Sequence, residues 1–251
     1  MKAAERHLRI RDLLGSQDFV DLDTLRRRLH TSESTIRRDL IALERAGALT
    51  RAHGGALSGA PARQVLDFEW QSARMAEEKR RIARATAALV ENGQTLLLDG
   101  GSTVAAIARE LTERSLHVMT NSLPIAQIFR DARRVEVTLT GGYLYPRLGV
   151  LLGPFCEQML GSVAADLLIM GIGGVTENGF SNNDTLIVGS ERKMIEVSRK
   201  VIVAADHTKF GRSAMIQLAP LEMADVVVSD SDLPETYRSL LCARDVDVRL
   251  A

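Results

Sequence analysis

Cysteine is nearly absent from this chain. Only Cys156 and Cys242 occur in 251 residues. Their separation matches neither a CxxC redox pair nor the doubled spacing of a zinc finger, which points to reduced, packed thiols and to no metal site. Also missing is any apolar run near the ~20 residues of a membrane-spanning helix. Lys2, Glu5, Arg6, Arg9, Arg11 and Asp12 put charge into every early turn, which excludes the apolar stretch of a secretory leader. A cytoplasmic protein with no membrane partner is expected. Net charge is absent as well, because 32 Lys and Arg balance 32 Asp and Glu. That balance hides an asymmetry: residues 1–60 carry 11 basic and 8 acidic side chains, against 21 and 24 in the remainder. A basic excess confined to a small N-terminal part suits attraction to a polyanion. The length allows two domains or one large one.

In the first sixty residues three helices can be read. Residues 3 to 15 set Ile10, Leu13 and Leu14 on one face and reach Gly15, a residue suited to follow a helix end. Phe19 and Val20 make a short apolar step before Asp21, which can cap a second helix facing inward with Leu22, Leu25 and Leu29. Ser32 is a fitting N-cap for a third, in which Ile36, Leu40 and Leu43 recur at helical spacing and must face the first two. Ser34, Arg37, Arg38 and Ile41 then point outward. Base edges in the major groove are reached from such an outer face, so Arg37 and Arg38 suit guanine or phosphate, and Ser34 and Thr35 suit phosphate oxygens at the helix start. Asp39 is expected to orient nearby arginines, with the Arg26 to Arg28 run as candidates; that run itself fits either a solvated face or backbone phosphate. After Gly47, the stretch from Ala48 to Gly55 suits a tight two-stranded wing that offers Arg51 and His53 to DNA.

The motif S-x-x-T-I-R-R-D-L at Ser32 to Leu40, completed by R-A-H-G-G-A at Arg51 to Ala56, resembles the DeoR family of transcriptional regulators. The resemblance implies a winged helix-turn-helix over 1–57. A small, polar, Pro- and Gly-containing linker at 58–66 would follow, then an α/β effector-sensing domain over 67–251. In that second part a long charged helical pattern runs from Asp67 to Val90, with Met75, Ile82, Ala85 and Leu89 as its apolar stripe and Trp70 at its start. Trp70 suits core packing or a contact between domains or subunits. Beyond Gly93, apolar strands at 95–98, 116–119, 135–139, 167–170, 201–204 and 226–228 alternate with helices near 103–112, 123–130, 153–161, 186–199 and 234–243. Such alternation argues for a mainly parallel sheet covered on both faces, with ligands beyond the carboxyl ends of its strands.

Those ends are polar or glycine-rich. They read Asp99, Gly100, Gly101, Ser102 and Thr103; then Asn121 and Ser122; then Gly142 and Tyr143, with Arg147 behind them; then Gly173 and Gly174; and finally Asp206 and Lys209. Glycines, hydroxyls and a helix start together describe a phosphate cradle at the first of them. The segments D-G-G-S-T, T-N-S, E-R-K-M and A-D-H-T-K-F-G also resemble the DeoR sensor domain, which is similar in fold to ribose-5-phosphate isomerase. This implies a phosphorylated sugar or related effector, held by Ser102, Thr103 and Lys209 at its phosphate and by Asp99 and Asp206 at its hydroxyls. The isomerases carry an acidic D-G-A-D-E segment where this chain has Met170 to Gly174, without a general base. Glu191 and Lys193 remain ionisable and could touch ligand, but their helical setting favours pairing on the surface. The expected protein is therefore a repressor of carbohydrate genes that binds a double-stranded operator as a dimer or larger homo-oligomer, with no catalytic residue and no cofactor. A sugar-phosphate isomerase with an accessory DNA-binding domain is the alternative, and a pure oligomerisation module a third reading.

Overall fold

The computed structural model describes residues 3–16, 19–45, 49–52, 55–58 and 68–251. The chain divides into two compact units, Met1–Trp70 and Gln71–Ala251. In the first, helices α1 (Ala3–Ser16), α2 (Leu22–Leu29) and α3 (Glu33–Arg45) surround a core of Ile10, Leu14, Leu25, Leu29, Ile36, Leu40 and Leu43. These are the apolar positions that helical spacing picks out. Asp21 caps α2 by accepting from the Thr24 amide at 2.7 Å, and His30, in the left-handed region at φ 47°, turns the chain toward α3. Ser32 caps α3 at the Thr35 amide, 3.4 Å away. Helix α1 runs through Gly15 to Ser16, one turn position past the expected stop.

The wing has a third strand. β2 (Leu49–Ala52) and β3 (Gly55–Ser58) pair antiparallel, and β3 also pairs with β1 (Phe19–Asp21), giving the order β1-β3-β2. The Phe19-Val20 step is thus a strand; Val20 and Ala56, opposite each other, are buried. Ser58, placed by sequence in the linker, ends β3. The rest of the expected linker to 66, with Gly47 and His53, lies outside the described residues.

The long charged helix is two helices, α4 (Phe68–Ala73), which spans the division between the units, and α5 (Ala76–Ala87) in the second, separated at Met75, whose φ of 49° no helix can continue through. The buried face of α5 is Lys79, Ile82, Ala83, Thr86 and Ala87. The stripe expected from sequence shares only Ile82 with it, since Met75, Ala85 and Leu89 are half-buried. The Trp70 side chain lies outside what is described.

Seven parallel strands form the main sheet: β4 (Thr95–Leu98), β5 (Leu116–Thr120), β6 (Val135–Leu139), β9 (Leu167–Met170), β12 (Val201–Ala204), β14 (Val226–Ser229) and β15 (Asp247–Leu250). Their order is β15-β14-β12-β9-β4-β5-β6. β9, β12 and β14 are buried along their whole length, as continuous Val, Leu and Ile runs require. Helices α6 (Ser102–Glu110), α7 (Leu123–Phe129), α8 (Pro154–Leu160), α9 (Thr185–Glu196) and α10 (Glu235–Cys242) follow the sequence expectation closely. The edge strand β15 alternates charged and apolar residues, and the short antiparallel strands, of three or four residues each, are too brief to show a pattern. These strands are the pair β7 (Tyr143–Tyr145) and β8 (Val150–Leu152), and the sheet of β10 (Gly174–Thr176), β11 (Gly179–Asn182) and β13 (Ile216–Ala219). Of the two thiols, Cys156 is packed and Cys242 is exposed, so only the first matches the expectation of buried cysteines.

Strand order reverses between β4 and β9, because successive strands depart from β4 in opposite directions. In a parallel sheet that switch opens a crevice at the carboxyl edge. Helix α5 enters β4 from the opposite edge, so its first turn stands at the carboxyl edge too.

Candidate functional site

On α3 the outward residues Ser34, Arg37 and Arg38 are exposed and Thr35 is half-buried. Their availability differs. Arg37 is tied to Glu33 one turn earlier by contacts of 2.7 and 2.9 Å. The Thr35 and Ser34 hydroxyls lie 2.9 and 3.1 Å from that of Ser32. Arg38 makes no hydrogen bond or ion pair with another described residue, which leaves its five donors for a ligand. The Arg51 side chain and all of His53 lie outside what is described. Beside the start of α3, Arg26, Arg27, His30, Thr31 and Ser32 line an open concavity. His30 and Thr31 had no expected role there.

Asp39 is an orienting acid, as expected, but for other partners. Its carboxylate takes Arg6 Nε at 2.6 Å and Nη2 at 3.0 Å, and His7 Nε2 at 3.1 Å, all from α1 rather than from the Arg26 to Arg28 run. Burial pushes the Asp39 carboxyl up, but the bonds from Arg6 and His7 outweigh it and hold the group below the usual aspartate range. The bridge fixes the roll of α3, and with it which side chains face outward. Sequence could not select the partner, because α1 and α3 are joined only through the fold.

At the carboxyl edge of the second unit, Asp99 ends β4 and is buried, its carboxylate accepting from the amides of Gly100 and Gly171 on the two sides of the switch. Burial pushes it up to about 7 in spite of those bonds. Gly101, at φ 120°, has open space where a side chain would be, as a phosphate cradle needs, whereas a Cβ on Gly100 would lie 2.3 Å from Val150 Cγ1 of β8. Gly100 therefore serves to seat the β7-β8 hairpin on the loop. Ser102 and Thr103 open α6 and are buried. Asn121 is buried with Oδ1 unpartnered among the described residues, and the Ser122 hydroxyl caps α7 at the Ile125 amide. Tyr143 and Gly142 are exposed and Arg147 is half-buried in the hairpin turn. Gly173 and Gly174 pack tightly, the first against Asn182 and the second against the Arg212 carbonyl.

Glu191 does not pair on the surface. It is 1% exposed; Asn182 Nδ2 donates to its Oε1 at 2.6 Å, while Oε2 has no partner among the described residues. Burial first, and then the charge of Asp99, push its carboxyl well above the usual glutamate range, against the bond from Asn182. Lys193 alone behaves as expected in lying outward, and it pairs with Glu196 instead, at 2.6 Å. The reason lies in the register of α9, which turns Glu191 with Val188 and Met194 toward the sheet.

Beyond β12, Asp206 is buried and accepts from the Thr208 amide at 3.1 Å. Its loop is held from behind by Asp230, which accepts from the His207 amide and faces His207 Nδ1, each at 2.8 Å. Around Asp206 gather four cations: Lys209, Arg212, Arg74 and Lys79. Lys79 is buried, donates to the Gln71 carbonyl at 2.5 Å, and is pushed down to about 8, chiefly by burial and then by its cationic neighbours against the pull of Asp206. Burial lowers Lys209, Arg212 and Arg74 as well. Four cations thus stand near Asp206, with Glu78 also acting on Lys79, and a dianion such as phosphate suits such a group. Sequence singled out Lys209 and Asp206. It missed Arg74, Lys79 and Arg212, whose only signal was their lying on a helix start and a loop that the topology brings to the same edge.

Comparison with known proteins places both units. Residues 6–61 match the DeoR-like helix-turn-helix domain and residues 74–231 the DeoR C-terminal sensor domain. The chain is 34% identical over 254 residues to the glycerol-3-phosphate regulon repressor of Escherichia coli K12, covering 100% of both. It is 30% identical to the HTH-type transcriptional repressor GlcR of Bacillus subtilis 168, covering 99% of this chain and 96% of that one. Among solved structures, ribose 5-phosphate isomerase A of Methanocaldococcus jannaschii is similar at 17% identity, with a TM-score of 0.38 over 54% of each chain.

Proposed function

Since the chain belongs to the DeoR family of transcriptional regulators, we propose that it represses carbohydrate genes by binding an operator through α3 and releases or holds that operator according to a phosphorylated effector bound at the carboxyl edge of its main sheet. It is a regulator rather than an enzyme, as its relatives are. The observation that carries the effector reading is the group of Arg74, Lys79, Lys209 and Arg212 around Asp206. Ser102 and Thr103 at the start of α6 supply hydroxyls and amides for the same phosphate. Gly101, Asn121, Gly142, Tyr143 and Arg147 complete the proposed rim, and Asp99 and Asp206 take hydroxyls. The name of one relative, a glycerol-3-phosphate regulon repressor, agrees with a phosphorylated carbon compound as the effector.

On the DNA side we assign base or phosphate contact to Arg38, Arg37, Ser34, Thr35, Arg51 and His53, and a backbone phosphate to the concavity of Arg26, Arg27, His30, Thr31 and Ser32. We place the DNA-binding part at 1–58, ending with β3, a linker at 59–66 and the sensor at 67–251, in a cytoplasmic protein. No helix among the described residues is long and apolar enough to cross a membrane. One helix of 13 residues reads few base pairs, so two copies on paired half-sites are proposed. A candidate self-association surface is the hairpin region, where Tyr143, Leu144, Phe155 and Leu186 are exposed apolar side chains. The test of the effector reading is a thermal-shift and calorimetric screen of phosphosugars and phosphopolyols. A hit that Lys209→Ala abolishes supports it, and a hit that survives that substitution undiminished misplaces the phosphate.

A further inference from the structure

Five buried side-chain oxygens in the sensor unit have no partner among the described residues, those of Thr86, Asn121, Ser190, Glu191 and Ser229, and two of them stand near Asp99. Oε2 of Glu191, on the inward face of α9, is the first; Oδ1 of Asn121, after β5, is the second. Asp99 lies between these elements at the end of β4, and its charge is felt both by Glu191 and by Cys156 of α8. A Cβ on Gly100, next to Asp99, would stand 3.9 Å from Asn121 Oδ1. An orphaned buried oxygen is costly unless a ligand completes it. The phosphate is assigned to the cations gathered at Asp206, which leaves Glu191 for another part of the effector.

We propose that Glu191, with Asp99 and Asn121, reads the hydroxyl end of the effector, so that the site takes a phosphorylated polyol and refuses a phosphorylated compound of the same size that ends in a carboxylate. The inference rests on the effector reading above. Asn182 Nδ2 donates to Oε1 of Glu191, so in the acid form Oε2 carries the proton and offers an O–H. Asp99 and Asn121 Oδ1 offer acceptors. A hydroxyl both donates and accepts, and it satisfies such a set; a carboxylate only accepts and would bring a negative charge into a buried place beside Asp99. Burial and the proximity of Asp99 keep Glu191 in the acid form. A glutamine, which has a donor where that O–H stands, is the conservative replacement.

The test compares glycerol 3-phosphate with 3-phosphoglycerate, glucose 6-phosphate with 6-phosphogluconate, and inorganic phosphate, by calorimetry on the full chain and its Glu191→Gln and Glu191→Leu variants. The parent is expected to bind at least one polyol phosphate about tenfold or more tighter than its acid partner and than phosphate alone. Glu191→Gln should keep that preference. Glu191→Leu should lose it while binding inorganic phosphate as the parent does, with its fold checked by circular dichroism because the leucine also takes the acceptor of Asn182 Nδ2 away. Equal binding of both members of each pair by the parent, or a preference unchanged in Glu191→Leu, overturns the inference and leaves the phosphate reading standing. If the parent binds no phosphorylated compound, both fall.

Discussion

Replacing Asp39 tests how the DNA-reading helix is held. Its carboxylate joins α3 to α1 through two contacts from Arg6, at 2.6 and 3.0 Å, and one from His7 at 3.1 Å. Breaking a fully buried ion pair costs ~3–5 kcal/mol, and an exposed pair contributes only ~0–1 kcal/mol. Here the Asp39 side chain is 8% exposed, that of Arg6 13% and that of His7 28%. The pair lies between those limits, and we expect Asp39→Ala to destabilise the packing of α3 by about 2 kcal/mol. Hydrogen exchange read by mass spectrometry over Glu33–Arg45 in the full chain should then be about 30-fold faster where exchange follows local opening. Asp39→Asn should recover part of the loss, since it keeps one acceptor but no charge. In a double-mutant cycle with Arg6→Ala the two effects should be strongly non-additive. The carboxyl is held below its usual range, so its contribution is present above the ordinary aspartate value and disappears as pH falls through the lower folded value. Parent and variant should thus converge only in acid. A coupling below about 0.5 kcal/mol, or unchanged exchange across α3, would refute a structural bridge.

Other outcomes follow from the same geometry. Arg38→Ala should weaken operator binding and reduce the salt slope by about one unit, read by anisotropy titration over a salt series. Arg37→Ala should do less, because Arg37 first has to leave Glu33. Lys79 sits at about 8 in the free protein, so its charged form is disfavoured by the fold below that pH and the cost is relieved as pH rises toward the ordinary lysine value. A bound phosphate favours the charged form. Effector binding near pH 8 to 9 should therefore take up protons, visible by calorimetry in buffers of different ionisation enthalpy, and affinity should fall as pH rises through this range. Leu144→Glu with Phe155→Glu, two exposed positions, should shift the sedimentation profile toward monomer; an unchanged profile would put self-association elsewhere.

The fold was legible wherever burial imposes periodicity. Ile36, Leu40 and Leu43 fixed the free face of α3, and the continuous apolar runs of β4, β9, β12 and β14 announced a parallel sheet covered on both faces. Elements without that signal were not legible: β15 is an edge strand with Asp247 and Arg249 facing outward, and the short antiparallel strands are too brief for a pattern. The break at Met75 has no glycine or proline to mark it. For the site, Asp99, Ser102, Thr103, Asp206 and Lys209 stood out because each closes a strand or opens a helix. Glu191 was misread because a Glu-Arg-Lys run resembles a solvated face, and only the register of α9 shows that its first member turns inward. The partner of Asp39, and the gathering of Arg74, Lys79 and Arg212 around Asp206, depend on contacts between distant segments that no local pattern encodes.

The central claim is that a phosphorylated effector in the second unit controls DNA binding by the first. It is tested most directly by titrating the full chain, by fluorescence anisotropy, onto a DNA fragment that it selects from a random-sequence pool. The titration is run with and without the best-binding phosphopolyol or phosphosugar, for the parent and for Lys209→Ala. A coupling of about 1–3 kcal/mol predicts a roughly 5- to 150-fold change in DNA affinity for the parent. The same DNA affinity without ligand, and no change on adding it, is predicted for Lys209→Ala. A saturating ligand that leaves the parent's DNA affinity unchanged, or shifts the variant's by the same factor, would contradict the account.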